Sequence, residues 1–276
     1  LKSNLSISRA WEETKAKIAA DGRLLLTVAL ALVALPAAVA QFAAPGSGIT
    51  RTPQSGWAAM LMIAVWVISL VGQLAIVRLA LGPSVSVGEA IVHGARRAPR
   101  YIAAVLLIII AVLLLSVPFV AALAGLGIKF EPGAAPPPPA YIILLLLLAL
   151  MLFIAVRMVL TSPVASAEPV GPITILKRSW QLTAGHGLRL FGFVLLFVIG
   201  AVITLAALTI LVGLVVSLVS GEIEPLTVSA LILALVEAFA SALVTTLFVV
   251  MLARIYVQLA GDPTTTTEAS VPRSGT

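Results

Sequence analysis

Six long apolar runs leave this chain few ways to fold. They cover residues 24–44, 57–81, 101–128, 140–160, 190–219 and 226–259. Each meets the roughly 20 consecutive apolar residues that a helix needs to cross about 30 Å of hydrocarbon. Transmembrane strands would instead read as segments of about ten residues that alternate in polarity, and these runs are uniformly apolar. A helix satisfies its own backbone hydrogen bonds in lipid. The predicted fold is therefore an all-α polytopic membrane protein with six transmembrane helices. Charged residues make up 10% of the 276, against about 25% in a soluble domain, so polar side chains are too few to coat a water-soluble fold. Residues 1–260 are expected to form one membrane domain, and 261–276, rich in Thr, Pro and Ser, a disordered cytoplasmic tail. About twenty polar or amphipathic residues precede the first run, which reads as a retained anchor rather than a signal peptide.

Charge in the connections predicts the orientation. Of 17 Lys and Arg, all but Arg51 and Lys129 fall in the N-terminal segment, at the connections after spans two and four, or at and beyond the end of span six. By the positive-inside rule that side is cytoplasmic. The expected location is a bacterial inner membrane, multi-pass, with both termini in the cytoplasm. The opposite connections are short. Residues 43–55 are rich in Gly, Pro and Ser, 129–140 contain four consecutive prolines, and 221–225 form an acidic turn. The net charge of +6 is spread beside spans rather than clustered, which argues against nucleic acid as a partner.

The basic-side segments show helical periodicity. In 8–20, Trp11, Thr14, Ile18 and the stem of Lys15 fall near one face. In 85–99, Val87, Ile91 and Ala95 form an apolar line, and Ser86 and Glu89 have capping-box spacing. In 172–183, Ile173, Leu176 and Trp180 form the line, with Pro172 suited to a first turn. Each segment reads as an amphipathic helix lying at the interface, followed by a basic residue (Arg23, Arg100 or Arg189) and two spans. The chain thus divides into possible repeats at 1–80, 81–160 and 170–260. Pro36 and Pro118 are expected kinks within spans one and three.

The most distinctive stretch, 162–192, reads SPVASAEPVGPITILKRSWQLTAGHGLRLFG. It resembles the membrane domain associated with bacterial glycerophosphoryl diester phosphodiesterases. The resemblance rests on Glu168, Gly171, Pro172, Arg178, Ser179, Trp180, Leu182, Thr183, Gly185, Arg189 and Gly192, and on the closing run from Arg254 through Tyr256 and Leu259 to Gly261. In that family the enzyme activity belongs to a soluble barrel. The resemblance implies a stand-alone membrane domain without that barrel.

Glu237 is the sharpest single candidate, an acid inside span six, where a lone carboxylate is costly unless it faces a partner, a cavity or the bundle interior. Gln73 in span two is an intramembrane polar candidate that could pair with it. Glu168, Arg178, Trp180 and Arg189 are candidates for a structural latch or an interfacial lipid site, with an aromatic anchor beside guanidinium groups suited to phosphate or carboxylate. Arg78, Arg157 and Arg254 can snorkel to headgroups. His93 and His186 are the only histidines and cysteine is absent. No metal, no cofactor and no catalytic residue is expected. The leading functional expectation is a non-catalytic membrane protein, an accessory or scaffold subunit whose partners are lipids and other membrane subunits or further copies of itself. The alternatives are a transporter or phospholipid-handling protein using Glu237 and the basic helices, and, less favoured, a membrane enzyme of glycerophosphodiester metabolism.

Overall fold

A computed structural model describes residues 5–43, 56–82, 85–128, 136–220 and 227–261. All but the first residue of the proposed disordered tail lies outside the described residues, as do the acidic turn and most of the Gly/Pro-rich and proline-rich connections. The described residues fold into α1 (Ile7–Ala29), α2 (Leu35–Ala43), α3 (Gly56–Leu81), α4 (Val87–Gly125), α5 (Pro138–Met158), α6 (Thr161–Ala167), α7 (Pro172–Thr183), α8 (Gly187–Ser220) and α9 (Val228–Ala260). Among the described residues six helices are long and apolar enough to span a membrane. The protein is a multi-pass, all-α membrane protein. Span one is α1 and α2 joined through a π-helical turn at Leu30–Ala34. Pro36 accounts for that turn. It has no N–H for the carbonyl four residues back, and its ring crowds that carbonyl. The ladder widens there instead of breaking: Leu35 N–H donates to the Leu30 carbonyl, five residues back.

Two of the three amphipathic segments differ from expectation. The first is continuous with α1 and the second with α4, which passes through Pro99 without ending. Only the third is a separate helix, α7, turned into α8 at Gly185, whose φ of 83° favours glycine. The helix starts do follow their signals. Ser86 and Glu89 form a reciprocal capping box, and Pro172 occupies the first turn of α7.

The buried row in these segments is also not the predicted apolar line. Thr14 is buried as expected, but its companion is Ala10, with Trp11 turned outward. In α4 the buried row is Ala90, Gly94 and Ala98, and in α7 it is Ile175, Ser179 and Thr183. Each row repeats every four residues; in α4 and α7 it sits one position before the predicted line, and in α1 it keeps Thr14 but takes Ala10 in place of Trp11. The physical reason is the solvent. Lipid rewards no burial of large apolar groups, so close backbone approach through small residues drives helix contact. At Gly94 a Cβ would stand 2.7 Å from the Val71 carbonyl oxygen, and at Gly72 2.9 Å from the Leu32 Cβ.

Spans one, two and six, formed by α1–α2, α3 and α9, pack on one another. Leu25, Val28, Ala29, Ala75, Ile76, Ala242, Val249 and Val250 fill their shared core. A second core at the basic end gathers Leu74, Tyr101, Leu160, Val164, Ile175, Leu190 and Ile255. Spans three, four and five lean on this structure unevenly. The most apolar window of spans one, two and six is 33% buried, against 6% in spans three and four and 0% in span five. Phe193, Phe197 and Phe248 tie α8 to α9, with centroids 4.8–6.1 Å apart. Beyond those rings most of the large apolar side chains of α8 look outward, with Val216 an exception.

Gly94→Leu is expected to destabilise the protein by about 1–3 kcal/mol through overpacking at the α3–α4 contact, whereas Gly88→Ala, in open space on the same helix, should change stability little. Unfolding midpoints in detergent compare the two variants.

Candidate functional site

The basic end is a collar of side-chain bonds around α6. Residues 161–166 of this short helix are all buried, so its polar groups need partners inside the protein. Ser166 Oγ donates to the Leu74 carbonyl of α3 at 3.2 Å. His93 Nε2 of α4 lies 2.9 Å from the Ser166 carbonyl. Arg97 Nη1 donates to the Glu168 carbonyl at 2.8 Å. The Glu168 carboxylate then receives two donors on Oε1: Arg178 Nε of α7 at 3.1 Å and the Tyr256 hydroxyl of α9 at 2.9 Å. Ser166 and Glu168 thereby connect α3, α4, α7 and α9.

The motif residues of α7 act at the end of α5. A helix C-terminus leaves carbonyls without intrahelical partners. Ser179 Oγ supplies the Arg157 carbonyl at 2.8 Å, with Thr183 Oγ1 3.4 Å away. Trp180 stands edge-on to Phe153, centroids 5.7 Å apart. The Arg157 guanidinium lies over both rings, 5.3 Å from Phe153 and 5.1 Å from Trp180. The Arg-Ser-Trp-x-Leu-Thr pattern therefore has a direct local meaning: one residue bonds the latch carboxylate, two hydroxyls cap the neighbouring span, and the tryptophan supports an arginine.

The closing motif on α9 works the same way. Arg254 Nη2 donates to the Ala80 carbonyl at the end of α3, and Gln258 Oε1 accepts the Ser6 N–H at 3.1 Å across 252 residues. Arg189 Nη1 is 3.4 Å from the Leu5 carbonyl. The beginning of the first span and the end of the last meet in the collar.

Glu237 sits far from the collar along α9. Its Oε1 accepts from Thr209 Oγ1 of α8 at 2.9 Å, and its Oε2 accepts from Gln41 Nε2 of α2. The acid ties span six to spans five and one. The structure does not bring Gln73 to it. The partners that sequence reasoning missed, Gln41 and Thr209, are polar residues inside apolar runs. The unrecognised signal was that each, like Glu237, needs company in lipid.

Of the sequence candidates, Glu168 and Arg178 meet directly. Trp180 and Arg189 belong to the same collar but bond elsewhere, and Glu237 and Gln73 stand apart from it. Among the described residues no group of three or more His, Asp or Glu is placed to hold a metal ion. A family model described as a domain of unknown function, DUF7847, matches residues 7–259, and the chain belongs to that family. No curated protein and no solved structure matches it. The family description carries no activity and no link to glycerophosphoryl diester phosphodiesterases.

Glu168→Leu and Tyr256→Phe should each lower stability by about 1–3 kcal/mol, the usual cost of losing a hydrogen bond to a charged group. Because they remove the same bond, the double variant should fall short of the sum by about 1 kcal/mol; additive losses in detergent unfolding would break the assignment. At Glu237, Leu should destabilise more than Gln, since Gln keeps an acceptor for Thr209 and Leu leaves that hydroxyl and Gln41 without one.

Proposed function

We propose that this DUF7847-family member is a non-catalytic membrane protein that serves as an accessory or scaffold subunit of a membrane complex. The observation carrying this reading is the unequal packing of its spans. Spans one, two and six form a packed post, while three, four and five are secured mainly at one end and present long apolar faces. Helix association in lipid depends on close van der Waals contact, and open spaces between the splayed spans suit transmembrane helices of another subunit or a further copy. The polar groups offer little to chemistry. Glu168, Arg178, Tyr256, His93, Ser179 and Glu237 are engaged in bonds between helices.

A second reading, movement of a solute or a phospholipid, draws on the Glu237–Gln41–Thr209 cluster, a polar group within the spans. The resemblance to phosphodiesterase-associated membrane domains would suit a phospholipid-related setting. For either reading the basic end faces the cytoplasm of a bacterial inner membrane, in keeping with the positive-inside rule.

Cross-linking through photoreactive side chains at Leu113, Leu145 and Leu211, all outward-facing on the splayed spans, tests the scaffold reading. Adducts with a defined membrane protein or with a second copy are expected, and labelling of lipid alone would overturn it. Orientation has a clean assay because the chain contains no cysteine. In intact cells a membrane-impermeant thiol reagent should label Leu126→Cys and spare Arg96→Cys, and the opposite pattern would reverse the topology.

A further inference from the structure

Arg157, in the last turn of α5, carries a charge that the protein does not answer. Among the described residues its guanidinium has no carboxylate partner and no hydrogen bond, and Nη1 is buried without an acceptor. Phe153 and Trp180 hold the cation by their ring faces, but rings leave most of its five N–H donors unsatisfied. The side chain is half-buried, and the enclosed Nη1 is the donor that an anion would complete. The two arginines of the expected latch or interfacial lipid site are committed elsewhere: Arg178 to Glu168, and Arg189 toward the Leu5 carbonyl.

Arg157 also stands at the collar end of a groove between α5 and α8. The groove has a volume of about 390 Å³ and apolar walls made by Ala149, Leu152, Phe153, Val156, Leu188 and Phe191, within the usual size range of ligand pockets. Gly187, the first residue of α8, lines the same end, so the positive pole of a 34-residue helix adds to the attraction for an anion.

The geometry points to a binding site for one phospholipid with an anionic headgroup, its phosphate on Arg157 and an acyl chain laid along the α5–α8 groove. The guanidinium fork matches phosphate oxygens. Charge complementarity selects this occupant over a protein helix, which would fill the apolar walls but bring no anion to Nη1. The site is independent of the scaffold role and stands or falls separately from it.

The full chain, purified in mild detergent and placed in nanodiscs of equal phosphatidylglycerol and phosphatidylcholine, is analysed for retained lipid by native mass spectrometry. The wild type should keep one phosphatidylglycerol, preferred about tenfold over phosphatidylcholine, as expected of a charge-assisted contact. Arg157→Gln should abolish the preference. Ala149→Trp, which fills the groove at an outward-facing position without touching the charge, should reduce retention of both lipids. Arg100→Gln, an exposed cation on α4, should behave as wild type. Equal retention of the two lipids by the wild type, an undiminished preference in Arg157→Gln, or unchanged retention in Ala149→Trp would each overturn the site. The Ala149→Trp result decides if Arg157→Gln fails to fold.

Discussion

The fold depends on how a short buried segment, residues 161–168, finds partners for its polar groups. A chain leaving a span must satisfy the carbonyls of the helix it ends and the N–H groups of the helix it begins. Here it does so inside the protein, under helices that come from four other places in the sequence. Ser166 reaches α3 and receives His93 from α4. Glu168 receives Arg97, Arg178 and Tyr256. In lipid the hydrophobic effect does not distinguish one apolar face from another, so directional bonds and close packing choose which helices meet. The collar supplies those bonds at one end, and the rest of the bundle follows from where it places the helix ends.

The small-residue rows supply the close packing. Ala10 and Thr14, Ala90, Gly94 and Ala98, and Ser179 and Thr183 all lie in segments that also carry large apolar side chains one residue further on. In water the large side chains would turn inward. Here Trp11, Ile173 and Trp180 are exposed, toward the interface that suits them, and the small residues meet protein. The one-residue offset of α4 and α7, shared in α1 only by Ala10 and Trp11, is a regularity of packing rather than of residue identity.

This offset also marks what was legible in the sequence. The spans were, because twenty apolar residues in a row admit one reading. Ser86, Glu89 and Pro172 announced helix starts by local chemistry that needs no tertiary context. Glu168 and Arg178 stood out as latch candidates through their motif, but nothing local chose Arg178 over Arg189 as the partner of the carboxylate. Tyr256 could not be assigned to Glu168, since 88 residues separate them and nothing local in span six names the partner. The same holds for Gln41 and Thr209 around Glu237. The phase of the interfacial helices is hidden because large apolar residues, which mark the buried face of a helix in water, mark the outward face here. Two of the segments ran straight into their spans because neither Pro99 nor Arg23 is followed by a turn-forming residue comparable to Gly185.

The long α4 has a mechanical consequence. It is held from Ala90 to Ala104 by the collar and the α3 contact, and beyond Ala104 only Leu123 is buried before the helix ends at Gly125. That length, about 30 Å at 1.5 Å per residue, packs mainly against α5 and is otherwise open. A rotation of about 5° at the collar would carry the far tip about 3 Å. Such an arm converts a small rearrangement at one membrane surface into a displacement at the other. Bilayer thickness and lateral pressure acting on its distal end would, by the same leverage, reach back to the bonds around Glu168.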